Sequence, residues 1–469
     1  MTGPVVTAVP GKPNLLLGSY DVAALGYRAE EFFISGTATS YAATGDLNAD
    51  GRWRVAPARD ADYTTRIVVL TPEHVSAFNG TVLVEWLNVS GGIDAPAVWF
   101  MAHREMLREG YAYVAVSAQE VGVQGGDSPG GHDMSLKTQD PVRYAPLRHP
   151  GDAFSYDVFS QIGRLVRSSQ PGGVLSALTP EHVLAVGESQ SAMYLTTYVN
   201  AVDPLAEVYD GFLVHSRFAP AAPLDGVSML EPSSATMPDA VRIRPDLRVP
   251  VLVIITETDL LGGPLLAYYT ARQPDEARLR VWEIPGTAHA DNYTIQVAPI
   301  DTGFAPLSAI VAAYAPTTTL MGEQVAQPIN FGPQHHYVLQ AALAGLRNWV
   351  RTGEPAPSAP QIELSAADPP QLVLDDHGIA KGGVWTPWVD VPIARTSGLG
   401  GDGNFMASLF GSGEVFDAAT VASLYPGGSD EYLRLFEIAL DEAVRSGFIV
   451  AADRGEILEL AAATYPLNR

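Results

Sequence analysis

The stretch from Val183 to Ser191 places a serine in the setting of an enzymatic nucleophile. Its letters are VLAVGESQS, in which a short apolar run ends at Gly187 and a helical pattern begins directly after Ser189. A serine on such a sharp strand-to-helix turn projects its hydroxyl above the sheet edge, and the first helical amides can stabilise an oxyanion. The motif is G-x-S-x-S, so Ser191 stands where a glycine is usual. A helix N-cap is the alternative role for Ser189.

A nucleophilic serine needs a histidine that accepts its proton and a carboxylate that orients this histidine. His289 stands in the glycine-containing loop after the apolar run 279–284, and we expect it to be the base. The carboxylate is expected after the apolar run 250–255, where the sequence offers Glu257 and Asp259. We favour Asp259, since its offset from the strand is the usual one for such an acid, and keep Glu257 as the alternative. A carboxylate that only caps the following turn is the non-catalytic interpretation.

Two backbone amides are needed to stabilise the negative oxygen that forms when a serine attacks a carbonyl. One is expected from Gln190, the residue after the nucleophile. The second is expected from the loop 87–92, whose glycines allow the backbone to approach a ligand closely. Val89 and Ser90 are both candidate donors, and the sequence does not choose between them. A plain glycine turn into the following helix is the remaining interpretation.

Alternating strands and helices after Gly80 would bring these groups together. The predicted strands lie at 81–88, 111–117, 182–186, 211–215, 249–256 and 279–284. The predicted helices lie at 97–109, 154–167, 192–200 and 335–351. This order indicates a mostly parallel sheet with helices on both faces, and the β-rich runs 31–41 and 63–70 predict an N-terminal antiparallel pair. The serine, the acid and the histidine each follow a strand of their own.

Two long insertions and a C-terminal region surround this α/β core. Segments 217–248 and 293–333 are long and irregular, and such loops in a compact domain are usually lids or caps. Prolines concentrate between 355 and 370 and indicate a boundary. We therefore predict a catalytic domain over residues 1–354 and an extension over 355–469 that packs on it. Whether the extension covers the pocket is left open.

Composition narrows the class of partner. Of 469 residues, 47% are apolar and 17% are charged, which is ample for a large core. The net charge of −24 argues against nucleic acid or an anionic membrane as a partner. The chain has no cysteine, which excludes disulfides, thiolate catalysis and cysteine-bound zinc. With no secretory signal at the first residues and no apolar run of membrane-spanning length, a cytoplasmic location is expected, and the oligomeric state stays open.

Neither a metal nor another cofactor is predicted. Segment 45–51 mimics the start of a calcium loop, but Pro57 replaces the closing glutamate, so we predict a tight turn. His335 and His336 lack partners at the spacing of metal ligands. No predicted strand leads into the G-x-G-x-x-G pattern of dinucleotide-binding enzymes.

The chain resembles the α/β-hydrolase superfamily over roughly residues 80–353. Within that superfamily it is similar to the large bacterial α/β-hydrolase-domain proteins of carboxylesterase type. The motifs that carry the resemblance are EWLNVSGG (85–92), GESQS (187–191), ETD (257–259), GTAHAD (286–291) and GGVWTPW (382–388). The last motif extends the resemblance over most of the chain. The resemblance implies the α/β-hydrolase fold and a triad of Ser189, Asp259 and His289.

These expectations combine into one leading function. We expect a serine hydrolase that cleaves carboxylic esters through an acyl-enzyme. Trp86, Trp99 and the apolar insertions suggest a small to medium, uncharged and partly hydrophobic substrate. Lactone hydrolysis or acyl transfer with the same triad is an alternative. A non-catalytic binding protein with the same fold is another.

Overall fold

The computed structural model describes residues 3–128, 131–168, 173–227, 237–263, 266–401 and 405–466. Nine strands of these ranges form one sheet: β1 Val5–Val9, β2 Tyr27–Ala43, β3 Val55–Pro72, β4 Thr81–Trp86, β5 Ala112–Val116, β6 His182–Glu188, β7 Gly211–His215, β8 Val251–Thr256 and β9 Leu279–Ile284. Their order across the sheet is β1-β2-β3-β5-β4-β6-β7-β8-β9. Strands β5, β4, β6, β7, β8 and β9 are parallel to one another. The pairs β1–β2, β2–β3 and β3–β5 are antiparallel. The predicted fold class is confirmed.

The N-terminal antiparallel pair is longer than the sequence predicts. β2 and β3 pair over almost their whole lengths, well beyond the two apolar runs. In the outer part, the hydroxyls of Thr37 and Thr39 donate to the carboxylates of Asp62 and Asp60 at 2.8 and 2.7 Å. Such polar cross-strand pairs stabilise an exposed ribbon, but they lack the apolar alternation by which a strand is identified in a sequence.

Helices cover both faces of the sheet. They are α1 Ala97–Glu109, α2 Glu120–Gln124, α3 Leu136–Gln139, α4 Ser155–Arg167, α5 Gln190–Thr197, α6 Asp203–Ala206, α7 Glu257–Leu261, α8 Leu307–Ala313, α9 Gln334–Thr352, α10 Pro387–Asp390, α11 Phe405–Leu409, α12 Ala418–Leu424, α13 Gly428–Arg445 and α14 Arg454–Thr464. Successive residues of β4 point to opposite faces, so Leu83 lies in the core with α1 and α9, and Val82 and Val84 lie in the core with α4 and α5. None of these described helices is both long and apolar enough to cross a membrane.

A buried carboxyl group joins β4 to α1. Glu85 accepts hydrogen bonds from the amides of Val98 (2.8 Å) and Trp99 (3.1 Å), and from the hydroxyl of Tyr113 (2.7 Å). Burial raises the pKa of Glu85 to about 8. Amides at a helix start have no acceptor within the helix, so Glu85 supplies one and fixes the point at which α1 begins. The loop between β4 and α1 is thereby held at both ends.

The two predicted insertions are built differently. In its described parts, 217–227 and 237–248, the first is irregular and contributes apolar side chains to the core with α4 and α5. Its remaining part, 228–236, lies outside the described residues. The second insertion contains a π-helical turn at Tyr293–Val297, α8 and a hairpin of β10 Thr319–Leu320 and β11 Glu323–Gln324. Phe218 of the first insertion and Ile295 of the second line the same cavity as Ser189.

Residues after 355 contribute to both cores. Leu409 belongs to the core with α4 and α5, and Val384 and Phe448 belong to the core with α1 and α9. Helices α13 and α14 enclose a further apolar cluster that includes Tyr337 of α9. A two-stranded sheet of β12 Ala394–Ser397 and β13 Ser412–Val415 brings this part of the chain to the loops that follow β8 and β9.

Candidate functional site

Ser189 occupies a strained turn between β6 and α5. Its backbone has φ 59° and ψ −120°, and residues other than glycine held in such sparsely populated regions pay about 1–3 kcal/mol. The amide of Ser189 donates to the carbonyl of His215 at 2.9 Å, which ties the turn to the end of β7. A Cβ on Gly187 would lie 3.0 Å from Leu195 and 3.1 Å from the Cβ of Ser191. The glycine therefore leaves room for the serine two positions after the nucleophile.

The three predicted catalytic side chains meet at the carboxyl edge of the sheet. Oγ of Ser189 lies 2.9 Å from Nε2 of His289, and Nδ1 of His289 lies 2.6 Å from Oδ1 of Asp259. Because a carboxylate accepts hydrogen bonds, Nδ1 donates to Asp259, and Nε2 is left to accept from the serine hydroxyl. The other oxygen of Asp259 accepts from the amide and the hydroxyl of Thr256, each at 2.8 Å. This chain of hydrogen bonds is the arrangement that a serine nucleophile requires.

Glu257, the alternative acid, contacts the C-terminal extension rather than His289. Its carboxylate accepts from the amide of Gly286 (2.6 Å), the hydroxyl of Ser397 (2.7 Å) and the amide of Gly398 (2.8 Å). Burial raises the pKa of Glu257. The geometry therefore brings Asp259 to the histidine and gives Glu257 a separate set of partners.

A second carboxylate reaches the nitrogen of His289 that faces the serine. Oε1 of Glu188 lies 3.3 Å from Nε2, and the side-chain amide of Asn88 donates to Oε2 at 3.2 Å. Burial lowers the pKa of His289, but the negative charges of Asp259 and Glu188 outweigh burial and leave the pKa raised. Burial raises the pKa of Glu188 to about 7. Sequence reasoning missed Glu188. The only sequence feature that points to it is the position of a charged residue directly before the serine.

The amides of the candidate oxyanion donors differ in their hydrogen-bond partners. Gln190 opens α5, so its amide lies in the first helical turn, where no acceptor exists within the helix. The amide of Ser90 donates to Oδ1 of Asn88 at 2.8 Å. The amide of Val89 instead makes a long contact of 3.4 Å with Oε1 of Gln190, beside the nucleophile. A bond of that length is weak, so an incoming oxygen can replace the side chain more easily at Val89 than at Ser90.

A cavity of about 740 Å³ opens above Ser189. Its walls come from the loops after β4 and β5, from α5, from both insertions and from the C-terminal extension. Large apolar side chains line much of it: Phe100, Met101, Phe218, Ile295, Met321, Phe405, Met406, Leu409 and Phe410. Four carboxyl groups also line it: Glu120, Asp127, Asp152 and Glu188.

Trp86 and Trp99 do not line this cavity, so they are core residues and do not inform on the substrate. Both are fully buried in the cores. Trp86 stacks on Tyr194 and Trp99 packs against Tyr113, each with ring centroids 5.0 Å apart. Part of the apolar lining comes instead from segment 405–410, which sequence reasoning did not single out. Its signal is the short apolar cluster FMASLF among glycine-rich sequence.

In the described ranges, no group of three or more His, Asp or Glu side chains is arranged to hold a metal ion. Nε2 of His335 lies 2.9 Å from Nε2 of His215, and the ring of His336 stacks on Tyr293 with centroids 3.7 Å apart. Burial lowers the pKa of His215 and of His336 well below its ordinary value. His215, His335 and His336 are therefore packed inside the protein, where they contact each other or aromatic rings.

Comparison with known proteins identifies a family. A family model described as alpha/beta hydrolase domain matches residues 1–459. A search of proteins with curated functions found no match.

Solved structures resemble the chain only distantly. A ferulic acid esterase from Streptomyces cinnamoneus is 15% identical with a TM-score of 0.34, and the match covers 69% of this chain and 92% of that one. Acetyl xylan esterase 1 from Thermoanaerobacterium sp. is 11% identical with a TM-score of 0.32, over 62% and 84%. A dienelactone hydrolase from Anabaena variabilis is 13% identical with a TM-score of 0.28, over 59% and 96%. Likenesses this distant carry no argument about the substrate.

Because Glu188 raises the pKa of His289, we predict that Glu188→Gln shifts the acid limb of the kcat/KM profile for ester hydrolysis to lower pH. A base must be neutral to act, and loss of a nearby negative charge makes the imidazolium form less stable. We also expect kcat above the limb to fall about tenfold, because the imidazolium that forms in the transition state loses a nearby stabilising negative charge. Steady-state rates measured across the limb test both statements.

The matched control is Glu120→Gln. Glu120 lines the same cavity, but its Oε1 accepts from Gln124 at 2.9 Å. The acid limb of the kcat/KM profile of Glu120→Gln should lie at the same pH as that of the unmodified protein. A limb that does not move in Glu188→Gln would contradict the prediction.

Proposed function

Because this chain belongs to the α/β-hydrolase domain family, we propose that it is a serine hydrolase that cleaves carboxylic esters through an acyl-enzyme. The observation that carries the proposal is the hydrogen-bonded chain of Ser189, His289 and Asp259 at the base of the cavity. In this function Ser189 is the nucleophile and His289 is the general base. Asp259 holds the tautomer of His289 and stabilises its protonated form.

Acylation begins when Oγ of Ser189 attacks the ester carbonyl. Nε2 of His289 takes the serine proton as the new C–O bond forms. The carbonyl oxygen becomes negative and accepts hydrogen bonds from the amides of Gln190 and Val89. His289 then donates its proton to the alcohol oxygen, the C–O bond to the alcohol breaks, and the acyl group stays on Ser189.

Deacylation repeats the same steps with water as the nucleophile. His289 takes a proton from water while the water oxygen attacks the acyl carbon. The amides that held the first oxyanion hold the second. Collapse of this intermediate returns the proton to Oγ of Ser189 and releases the acid. Each cycle therefore consumes one water and leaves the enzyme unchanged.

The charge and polarity of the cavity support an uncharged, partly apolar substrate. Among the described residues that line it, several are carboxylic acids and none is a lysine or an arginine. An anionic ester would meet repulsion without a compensating cation. The phenylalanine and methionine side chains of the lining favour apolar groups.

Hydrolysis is favoured over acyl transfer by the exposure of the cavity mouth. Met321 and Phe405 line the cavity and are 69% and 45% exposed. Among the residues that the structure describes, these exposed side chains leave the cavity open to water, which can reach the acyl-enzyme. Added alcohol should not divert most of the acyl group into a new ester, and predominant transfer would favour the acyltransferase alternative.

We predict that Ser189→Ala abolishes hydrolysis of p-nitrophenyl esters and labelling by an organophosphonate probe. Loss of a catalytic serine lowers kcat by about 10⁴-fold or more, because neither the acyl-enzyme nor the probe adduct can form. Intact mass spectrometry of the probe-treated protein measures the adduct, and colourimetric assay measures the rate.

Ser191→Ala is the matched control. The Ser191 hydroxyl is buried and has no hydrogen-bond partner in the described part of the chain, so its removal should leave the activity near that of the unmodified protein. Full ester activity in Ser189→Ala would overturn the proposed function. A protein that neither hydrolyses esters nor reacts with the probe would favour the binding-protein alternative.

A second prediction separates the two acidic residues of α7. Asp259→Asn should lower kcat by about 10³- to 10⁴-fold, because an amide no longer holds the correct tautomer of His289. Glu257→Gln should spare kcat of the folded protein and instead lower the free energy of unfolding by about 1–3 kcal/mol, because one of its amide partners loses an acceptor. Chemical denaturation and steady-state rates on both variants measure these effects. A loss of kcat in Glu257→Gln as large as that in Asp259→Asn would contradict the assignment.

A further inference from the structure

The position of His289 defines where the alcohol part of a bound ester lies. Nε2 of His289 must deliver a proton to the alcohol oxygen, so that oxygen lies within hydrogen-bond reach of the nitrogen. The carbonyl oxygen is directed at the amides of Gln190 and Val89 instead. The alcohol part must therefore extend along the wall of the cavity next to the histidine.

That wall is formed by the C-terminal extension. The amide of Ala290, the residue after His289, donates to the carbonyl of Leu409 at 3.0 Å. This bond sets segment 405–410 beside the histidine, and four side chains of the segment line the cavity. The ring of Phe218 lies 5.4 Å from the ring of His289. Apart from Glu188, the side chains named on this side of His289 are apolar, so the part of the alcohol beyond its oxygen would meet an apolar wall.

Two glycines allow the extension to contact both catalytic loops. A Cβ on Gly398 would lie 2.4 Å from the nitrogen of Thr258 and 2.4 Å from the carbonyl oxygen of Thr287. A Cβ on Gly411 would lie 2.9 Å from the Cβ of Ala288. Because a side chain at either glycine would clash, these positions allow the extension to pack directly against both catalytic loops. The wall is therefore packed against the histidine loop.

The outer end of the same wall presents apolar surface to solvent. Phe405 and Met321 are largely exposed and stand at the cavity mouth. Their exposure leaves apolar surface that a ligand extending out of the cavity can cover. The apolar lining thus continues from Leu409, beside the histidine loop, out to the surface.

We propose that the substrate is an ester whose alcohol part is an apolar group, an alkyl chain of several carbons or an aryl ring, bound by segment 405–410. This inference rests on the serine hydrolase function proposed above. The chemistry is unchanged by it: the alcohol leaves with the proton from His289, and water replaces it on the acyl group. Phe405 and Met406 set the selectivity, because their side chains contact the alcohol without touching the reacting atoms.

The experiment compares acetate esters of primary alcohols from ethyl to hexyl. These alcohols differ little in reactivity, so changes in kcat/KM report binding of the alcohol part in the transition state. We expect kcat/KM to rise about threefold for each added methylene until the wall is covered, as apolar burial requires. A parallel series of ethyl esters with acids of increasing length serves as the comparison for the acyl side.

The variants Phe405→Ala and Met406→Ala test the assignment of the wall. Each should lower kcat/KM for hexyl acetate by about tenfold and change that for ethyl acetate by about twofold or less. Retained activity on the ethyl ester shows that the variant is folded. Phe304→Ala is the matched control, because Phe304 is a phenylalanine 87% exposed and outside the cavity lining. It should leave both series unchanged.

The outcomes separate this inference from the proposed function. Ester hydrolysis that depends on Ser189 but not on the length of the alcohol overturns the inference and leaves the function in place. Selectivity for the alcohol that survives in Phe405→Ala and Met406→Ala also overturns it. If Phe405→Ala and Met406→Ala lose selectivity only in the series of acids, the acyl group lies on this wall, which would contradict the inference. Hydrolysis that persists in Ser189→Ala overturns the function and the inference together.

Discussion

The strained turn at Ser189 is the constraint on which the rest of the site depends. A serine keeps a positive φ only where its surroundings leave no alternative. The carbonyl of His215 holds its amide, and its own carbonyl accepts from Met193 at 3.2 Å in the first turn of α5. β6 is paired on both sides, with β4 and β7, so the turn is anchored at the centre of the sheet. The strain directs the hydroxyl toward the loops after β8 and β9.

Two acidic residues on one short helix, α7, have different partners around this turn. Asp259 fixes the histidine that must meet the serine, and Glu257 fixes the chain that must surround it. Both are held by hydrogen bonds from amides and hydroxyls rather than by cations, which keeps them rigid inside a buried region. Because α7 carries both residues, one short helix contacts the C-terminal extension through Glu257 and His289 through Asp259.

Sequence reasoning found the parts of this site that follow from local pattern. The strands, the flanking helices and the positions of Ser189, Asp259 and His289 were predictable, since each residue follows an apolar run of its own. It could not choose between Val89 and Ser90, because the choice depends on the hydrogen bond that Asn88 makes to one of them. The contact of segment 405–410 with the histidine loop was also not predictable. It joins distant parts of the chain through backbone atoms, which leave no pattern in the letters.

The carboxylates on both nitrogens of His289 produce opposing effects on the proposed reaction. They stabilise the imidazolium that forms in the transition state, which favours proton transfer from the serine. They also raise the pKa of the resting histidine, which removes the neutral base at low pH. Burial raises the pKa of Glu188 to about 7, so acid conditions protonate its carboxylate. Once protonated, Glu188 no longer raises the pKa of His289. His289 and Glu188 lie 3.3 Å apart and therefore titrate as a pair, so the acid limb of the rate profile belongs to the pair rather than to either residue.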